Sequence, residues 1–233
     1  ESWFETEMYC LNSSSENLKK LPDNTKVKDF VCPDCKETYQ LKSKSSKFGN
    51  KVANSAYEPK VKRIKEGKSP NWAFLQYDKE DYFVENLMIV PSYFMTLDTV
   101  EARKPLSEDA IRSGWVGSNI LLNELPTEAR LYIVKECEVG NDTEIRGKWN
   151  KFDFMREESL SSKGWTKDVL KCVRELGKKE FTLDEIYEFE DRLQEIHPEN
   201  KHIKAKIRQQ LQKLRDEGVL EFVDYEGKYH LLL

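Results

Sequence analysis

The sequence predicts an α+β protein built from two domains. Residues 1–158 are expected to form an α/β core around a central mixed sheet, because strand, strand, helix, strand and strand patterns follow one another between residues 28 and 90. Residues 159–233 carry three helical patterns and then a hairpin pattern. These two orders of elements predict a mixed-sheet domain followed by a small helical domain.

Composition places the chain among globular proteins. It has 233 residues, of which 34% are charged, and a formal net charge of −4. No apolar run reaches the roughly 18 residues that a membrane helix needs, and no signal peptide is indicated. We expect a cytoplasmic protein that works as a monomer and has no membrane association.

The first predicted element is a hairpin between Lys28 and Lys42. Phe30 and Val31 are β-formers, a Pro-Asp turn follows them, and Thr38 to Lys42 alternates like a strand. Since side chains alternate along a strand, Gln40 and Lys42 are expected on one face.

Asp29, Gln40 and Lys42 have the spacing of the PD-(D/E)xK nuclease core. In that core, acidic or amide oxygens hold Mg²⁺ and the lysine orients the attacking water. An acid is usual where Gln40 stands, and a neutral amide oxygen is a weaker ligand for a hard cation. The spacing predicts Asp29, Gln40 and Lys42 as catalytic residues, with Asp29 and Gln40 as Mg²⁺ ligands. A charged hairpin at a sheet edge is the alternative reading of the same residues.

Five cysteines do not suit a disulfide framework. Cys32 and Cys35 form a C-x2-C pair, to which Cys10 adds a third candidate ligand for structural Zn²⁺. Ser13 stands where a fourth cysteine would complete a second pair, and serine is a poor zinc ligand. Zinc on three thiolates and reduced thiols without metal both remain open. The other two cysteines are expected to be buried: Cys137 and Cys172.

A basic segment follows the hairpin, since lysine and arginine outnumber acids by ten to three from Lys36 to Lys68. It suits a phosphate backbone, with a solvated lysine-rich surface as the alternative. The spacing within it predicts a short helix from Asn54 to Glu66, with Tyr57, Val61 and Ile64 inward and Lys60 on the rim. Glu58 on this helix either supplies the charge that Gln40 lacks or is simply exposed.

The rest of the first domain is predicted to hold three more strands, Asn71–Tyr77, 83–90 and 131–134. Trp115 lies in a polar loop between glycines, which let the backbone approach another surface closely, so it is a candidate DNA contact. Residues 140–151 are polar enough for a loop.

The C-terminal segment predicts a winged helix, which consists of three helices and a β-hairpin. A first helix is expected from Trp165 to Leu176, and Thr182 opens a second with a capping box. Asn200 is a candidate cap for a third helix that stops at Gly218. The hairpin turn is predicted at residues 224–227.

One face of the third helix is apolar, and the opposite face carries side chains that read base edges in the major groove of DNA. We expect Ile203, Ile207, Gln210, Leu211 and Leu214 to point inward. The predicted DNA-binding residues are Lys201, His202, Lys204, Ala205, Arg208, Gln209 and Gln212, together with Trp115 and, at the start of the first helix, Trp165. For Trp165, packing in the core is the alternative.

Over nearly its whole length the chain resembles the DpnI-like restriction endonucleases, which cut only adenine-methylated GATC and belong to the PD-(D/E)xK superfamily. The segments that carry the resemblance are Asp29-Phe30 with Cys32 and Cys35, Leu41 to Lys44, Arg103 to Leu106, Ser113 to Trp115, Ser159 to Ser162, Gly164 to Thr166, His202 to Lys204 and Lys206 to Gln212.

The resemblance implies Mg²⁺-dependent cleavage of double-stranded DNA that contains methylated adenine, read by both domains. Two positions depart from the family pattern: Gln40 replaces the metal-binding glutamate, and Ser13 replaces the fourth cysteine. The sequence therefore leaves three functions open. They are a methyl-directed endonuclease, a reader of methylated DNA that has lost cleavage, and a nuclease with another sequence preference.

Overall fold

The computed structural model describes residues 1–23, 25, 27–223 and 227–232. Its contacts divide the chain into two compact units, Glu1–Arg156 and Glu157–Leu233. Within the described residues, no helix is both long and apolar enough to cross a membrane. The units are a mixed sheet with helices and a smaller helical domain, which confirms the predicted α+β class.

The N-terminal unit is built mainly from strands. In chain order its strands are β1 (Lys19–Lys20), β2 (Phe30–Val31), β3 (Thr38–Lys44), β4 (Lys51–Ala56), β5 (Asn71–Tyr77), β6 (Val84–Val90), β7 (Val100–Ala102), β8 (Gly117–Leu121), β9 (Leu131–Lys135) and β10 (Glu138–Val139). The main sheet has the order β1-β2-β3-β5-β6-β9-β10, and a smaller one has the order β4-β8-β7. Strands β3 and β5 pair in parallel and their neighbours pair antiparallel, so the sheet is mixed as predicted.

Strand β4 was not predicted, and it changes the helix that follows. Helix α2 runs from Tyr57 to Lys65, so the prediction of a start at Asn54 was wrong. β4 pairs with β8, a partner far along the chain that local periodicity cannot reveal. Lys60 is 1% exposed and Ile64 is 3% exposed, so the prediction of Lys60 on the rim was also wrong. The i, i+4 pair of Lys60 and Ile64 forms the inward stripe of the helix.

Residues 142–151 are helical, which contradicts the predicted loop. Helix α3 spans Asp142–Lys151, and the side chain of Asn141 caps it by accepting a hydrogen bond from the Glu144 N–H. Ile145 and Trp149 are buried one turn apart on the same face of α3, and the other residues of the helix are mostly polar. Each buried side chain of this size contributes roughly 1.5–3 kcal/mol, so two suffice to dock a polar helix. A short helix, α1 (Ser2–Glu7), lies before β1.

The C-terminal unit contains helices α4 (Leu160–Glu175), α5 (Leu183–Tyr187), α6 (Glu190–Ile196) and α7 (Ile203–Asp216), and strands β11 (Glu180–Thr182), β12 (Leu220–Phe222) and β13 (Lys228–Leu231). The strands form a sheet of order β11-β13-β12, in which β12 and β13 are the predicted hairpin. Of the turn predicted at residues 224–227, residues 224–226 lie outside the described residues.

Three predicted helix boundaries in this unit were wrong. Helix α4 starts at Leu160, because the Ser159 side chain accepts a hydrogen bond from the Ser162 N–H and caps it. The second helix starts at the predicted Thr182 capping box but breaks into α5 and α6. The Asn200 side chain accepts a hydrogen bond from the His202 N–H at 2.8 Å, ahead of the first turn of α7, so it does not cap that helix.

Candidate functional site

The two strands of the predicted hairpin bring Asp29 and Lys42 together. Phe30 pairs with Tyr39, and the Asp29 N–H donates to the Tyr39 carbonyl at 2.8 Å. The Asp29 carboxylate also accepts a hydrogen bond from the Leu41 N–H at 2.8 Å. The carboxylate therefore lies against β3 at the residue between Gln40 and Lys42, as the spacing predicted.

Burial dominates the electrostatics of this group. It raises the pKa of Asp29 above its ordinary value, although the Leu41 N–H and the charge of Lys42 act in the opposite direction. Burial likewise lowers the pKa of Lys42, against the attraction of Asp29. Both shifts favour the neutral forms, so the attraction between the two groups is smaller than the cost of desolvating them.

Gln40 is 6% exposed, and within the described part of the chain its Oε1 atom is buried without a hydrogen-bond partner. In the parallel register Gln40 lies beside Trp72, and Lys42 lies beside Phe74. An unpartnered buried acceptor is costly, on the order of 1–3 kcal/mol, and such atoms collect at functional sites. Gln40 therefore offers an unpaired amide oxygen on β3, the strand whose Leu41 N–H bonds the Asp29 carboxylate.

Sequence reasoning missed Lys60 as a neighbour of this centre. Its Nζ atom lies 4.5 Å from the centroid of the Trp72 ring. Burial, followed by the charge of Lys42, lowers the pKa of Lys60 to about 6. The i, i+4 spacing of Lys60 and Ile64 was the available signal, but a lysine on an inward stripe is ordinarily discounted. Glu58 is exposed, so the helix brings a lysine rather than this acid toward Gln40.

The three predicted thiol ligands meet in one cluster. The Sγ atoms of Cys10, Cys32 and Cys35 all lie within 4.8 Å of one another, close enough to hold a metal ion. The Sγ atoms of Cys10 and Cys35 are 3.5 Å apart, and Ser13 Oγ lies 3.3 Å from Cys32 Sγ. Ser13 therefore occupies the fourth position around the thiols.

The thiols of the cluster differ in acidity. Burial raises the pKa of Cys10 to about 11. Burial also acts on Cys32, but hydrogen bonds from Ser13 and from the backbone at Cys35 and Asp34 outweigh it and lower the pKa of Cys32 to about 7. Cys32 is thus a readier thiolate than Cys10.

Helix α3 holds the segment that delivers Cys10 and Ser13. Arg146 donates hydrogen bonds to the carbonyl oxygens of Cys10 and Ser13 at 2.6 and 2.5 Å. Because residues 140–151 were read as a loop, this support was not predicted. Of the remaining cysteines, Cys172 is buried as expected, whereas Cys137 is exposed in the turn between β9 and β10.

Helix α7 presents two distinct faces. The five residues predicted to point inward are buried: Ile203, Ile207, Gln210, Leu211 and Leu214. Gln210 Oε1 accepts a hydrogen bond from Thr166 Oγ1 at 2.8 Å, which satisfies the polar member of this face. The residues on α7 or just before it that were predicted to contact DNA are exposed: Lys201, His202, Lys204, Ala205, Arg208, Gln209 and Gln212. The helix therefore offers a polar and basic surface carried on an apolar core.

Two family models match the chain. A model of the DpnI type, described as the Dam-replacing family, matches residues 1–158, and a Dam-replacing HTH domain matches residues 161–231. The chain belongs to the Dam-replacing family. It is accordingly a DpnI-like, methylation-dependent restriction enzyme whose second domain is a DNA-binding HTH domain.

In this Dam-replacing protein the two predicted tryptophans lie in different settings. Trp115 is partly exposed in the turn that joins β7 and β8, and its ring packs over Gly117, where an added Cβ would come within 2.8 Å of it. Trp165 is 3% exposed inside α4 and stacks on His197, with ring centroids 3.8 Å apart. His197 in turn contacts the Asp168 carboxylate at 2.9 Å.

The HTH domain also has a surface cavity of about 670 Å³, at the start of α7. Trp165 and His197 line it together with Lys201, His202 and Lys206. The cavity brings an edge of the buried Trp165 ring next to residues predicted to contact DNA.

The burial of Asp29 predicts how pH acts on stability. The ordinary aspartate pKa is 3.8, and the folded protein raises it. The folded protein favours the protonated carboxyl of Asp29. The stability that this form contributes is therefore fully present below pH 3.8 and is lost as the pH rises through the higher pKa of the folded state. Asp29→Asn should raise the Tm at neutral pH, with a gain that shrinks as the pH falls toward 3.8. Thermal unfolding in EDTA measures this.

Asp34→Asn is the matched control, because Asp34 is exposed in the same hairpin. It should leave the Tm nearly unchanged across the pH range. A loss of stability in Asp29→Asn at neutral pH would contradict the electrostatic account.

Proposed function

We propose that this protein is a methyl-directed restriction endonuclease that cleaves double-stranded DNA at GATC sites containing N6-methyladenine. The observation that carries the proposal is the Asp29 carboxylate bonded to the Leu41 N–H, between Gln40 and Lys42. This is the arrangement expected of a PD-(D/E)xK centre, and it occurs in a chain of the Dam-replacing family.

The donors at the centre suit Mg²⁺, since Asp29 offers a carboxylate oxygen and Gln40 Oε1 has no other partner in the described chain. A bound Mg²⁺ supplies charge that stabilises the transition state of phosphodiester hydrolysis. Asp29 and Gln40 would hold the ion, and the Leu41 N–H keeps the Asp29 carboxylate in place. Lys42 orients the attacking water and withdraws its proton, which its lowered pKa favours.

Methyl reading is assigned to both domains. N6-methylation puts an apolar group in the major groove and uses one exocyclic N–H, so a reader needs apolar surface there. Trp115 provides that surface in the N-terminal unit, and on α7 the small side chain of Ala205 leaves room for a methyl. Arg208, Gln209 and Gln212 then read neighbouring base edges, Lys201, His202 and Lys204 contact the backbone, and Trp165 acts from the cavity.

We favour cleavage over a reader that has lost it, because the bonded Asp29 carboxylate occurs in a chain of the Dam-replacing family. We further propose that the enzyme acts as a cytoplasmic monomer on DNA.

We also propose that Zn²⁺ binds Cys10, Cys32 and Cys35, whose Sγ atoms are within 4.8 Å of one another.

Digestion of plasmid tests the nuclease. With Mg²⁺, the protein should cut adenine-methylated plasmid and leave unmethylated plasmid intact. Gln40→Glu should raise the rate, because a carboxylate binds Mg²⁺ more strongly than an amide. Lys42→Ala should abolish cleavage while weakening DNA binding in EDTA by no more than about 1 kcal/mol, the order of one phosphate contact.

Lys36→Ala is the control for Lys42→Ala, because Lys36 is exposed in the same hairpin, and it should keep the activity. A normal rate for Lys42→Ala would exclude the proposed centre. Cleavage of both plasmids would point to a nuclease that ignores methylation. Binding without cuts until Gln40 is changed to Glu would identify a reader.

Arg208 tests base reading by α7. Tyr187 Oη accepts hydrogen bonds from its guanidinium at 3.2 and 2.7 Å, so the side chain is positioned before DNA arrives. Arg208→Ala should cost about 1–3 kcal/mol on a methylated GATC duplex and less on a scrambled duplex. Fluorescence anisotropy at one fixed salt concentration measures both, because salt alone shifts the affinity.

Arg215→Ala is the matched control, since Arg215 lies in the last turn of α7 and pairs with Asp216. It removes the same charge far from the N-terminal turns that enter the groove. Equal losses for both variants on both duplexes would reduce the role of Arg208 to a phosphate contact.

The zinc assignment is tested at Ser13. Replacing this poor ligand in Ser13→Cys completes a four-thiolate set and should let the protein keep Zn²⁺ at a chelator concentration that strips the natural protein. Elemental analysis after dialysis measures the retained metal. Ser14→Cys adds a thiol at the exposed neighbouring position and should not have this effect. Equal zinc loss from both variants would remove Ser13 from the site.

A further inference from the structure

Lys60 is a buried lysine on the inward stripe of helix α2. It is 1% exposed, and its Nζ atom is buried without a hydrogen-bond partner in the described chain. The Nζ atom lies over the face of the Trp72 ring, 4.5 Å from the ring centroid. The attraction of a cation to a tryptophan face is smaller than the cost of burying an isolated ammonium.

Lys60 lies on the same side of the sheet as Gln40. Paired residues of adjacent strands share a face, so Gln40 and its partner Trp72 both point toward the side from which Lys60 approaches. Lys42 is two residues along β3 on that face, and its charge acts on Lys60. The centre therefore has one carboxylate, from Asp29, and two amines.

Three buried polar atoms on this face of the sheet have no hydrogen-bond partner in the described chain: Gln40 Oε1, Trp72 Nε1 and Lys60 Nζ. Native proteins leave few buried polar atoms unpaired, and such atoms are candidates for a functional role. Lys60 approaches the face of the sheet that carries Gln40. Residue 40 is the position at which the chain departs from the PD-(D/E)xK pattern.

We propose that Lys60 is a positioning residue of the centre. Its charge lowers the affinity of Asp29 and Gln40 for the divalent cation, and the neutral side chain of Gln40 is matched to that charge. The inference rests on the proposed nuclease function and deepens it. The protonated amine of Lys60 either repels the incoming cation or loses its proton to the solvent as the cation binds, and each of these costs binding free energy. In both cases Lys60 lowers the affinity for the ion.

The pairing with residue 40 gives the inference its specific form. A glutamate at position 40 would be drawn into an ion pair with Lys60 and would be less available to a metal. The effects of Gln40→Glu and Lys60→Met should therefore not be independent. Gln40 is neutral, so it can share this face of the sheet with Lys60 without forming such an ion pair.

Terbium luminescence excited through tryptophan tests this on the full chain without DNA, because Tb³⁺ is a hard cation that replaces Mg²⁺. Asp29→Ala identifies the part of the signal that comes from the centre. Lys60→Met should tighten Tb³⁺ binding by about tenfold or more. Lys62→Met removes the same charge from a side chain that is 77% exposed on the same helix and should change the affinity little.

The double variant completes the cycle. Gln40→Glu alone should tighten Tb³⁺ binding only modestly, and Gln40→Glu with Lys60→Met should exceed the product of the two single effects. Equal affinities for Lys60→Met and Lys62→Met, or strictly multiplicative effects, would overturn the inference.

Failure of the two proposals can be told apart. If Lys60→Met binds Tb³⁺ more tightly but no variant cleaves methylated plasmid, the metal inference stands and the nuclease function falls. If methylated plasmid is cleaved while Lys60→Met binds Tb³⁺ like the natural protein, the nuclease function stands and the role of Lys60 falls.

Discussion

The hydrogen bond from the Leu41 N–H to the Asp29 carboxylate is the interaction on which the candidate centre depends. Strand β2 has only two residues, so its own ladder cannot hold Asp29 in register. The fully buried Phe30 adds an anchor, with its ring centroid 4.9 Å from that of Phe4 in α1. Side-chain and core contacts thus maintain a geometry that a strand this short cannot provide.

The thiol cluster supports the same hairpin from its turn. Cys32 and Cys35 lie between β2 and β3, and Cys10 comes from the segment that Arg146 holds. Any ion bound by these thiols would cross-link the turn to the N-terminal segment. Ser13 makes that link weaker than a four-thiolate site, so more of the stability of the hairpin must come from Phe30 and the Asp29 hydrogen bond.

Burial at the candidate centre disfavours the charged forms of its side chains, although the proposed nuclease function requires charged groups there. Asp29 and Lys42 both have pKa values shifted toward their neutral forms, and Lys60 Nζ is buried without a hydrogen-bond partner in the described chain. Stability is given up at this point, as is usual where a protein prepares polar groups for a ligand. The C-terminal unit shows the opposite, because the polar Gln210 on its inward face is paired with Thr166.

The sequence by itself determined the features that depend on near neighbours. These are the hairpin that carries Asp29, Gln40 and Lys42, the Thr182 capping box, and the two faces of α7. Each follows from a local period or a short motif, and the structure confirms the strand pairing of the hairpin, the capping box and the burial of the five inward residues of α7.

Only the tertiary structure decided the features that depend on distant partners. Strand β4 forms by pairing with β8, and this pairing moves the start of α2 to Tyr57 and turns Lys60 inward. Helix α3 is polar along most of its length and docks through Ile145 and Trp149, so its composition alone predicts a loop. Periodicity reports which face of an element is apolar, whereas the burial of a lysine depends on the surface that the rest of the chain brings against it.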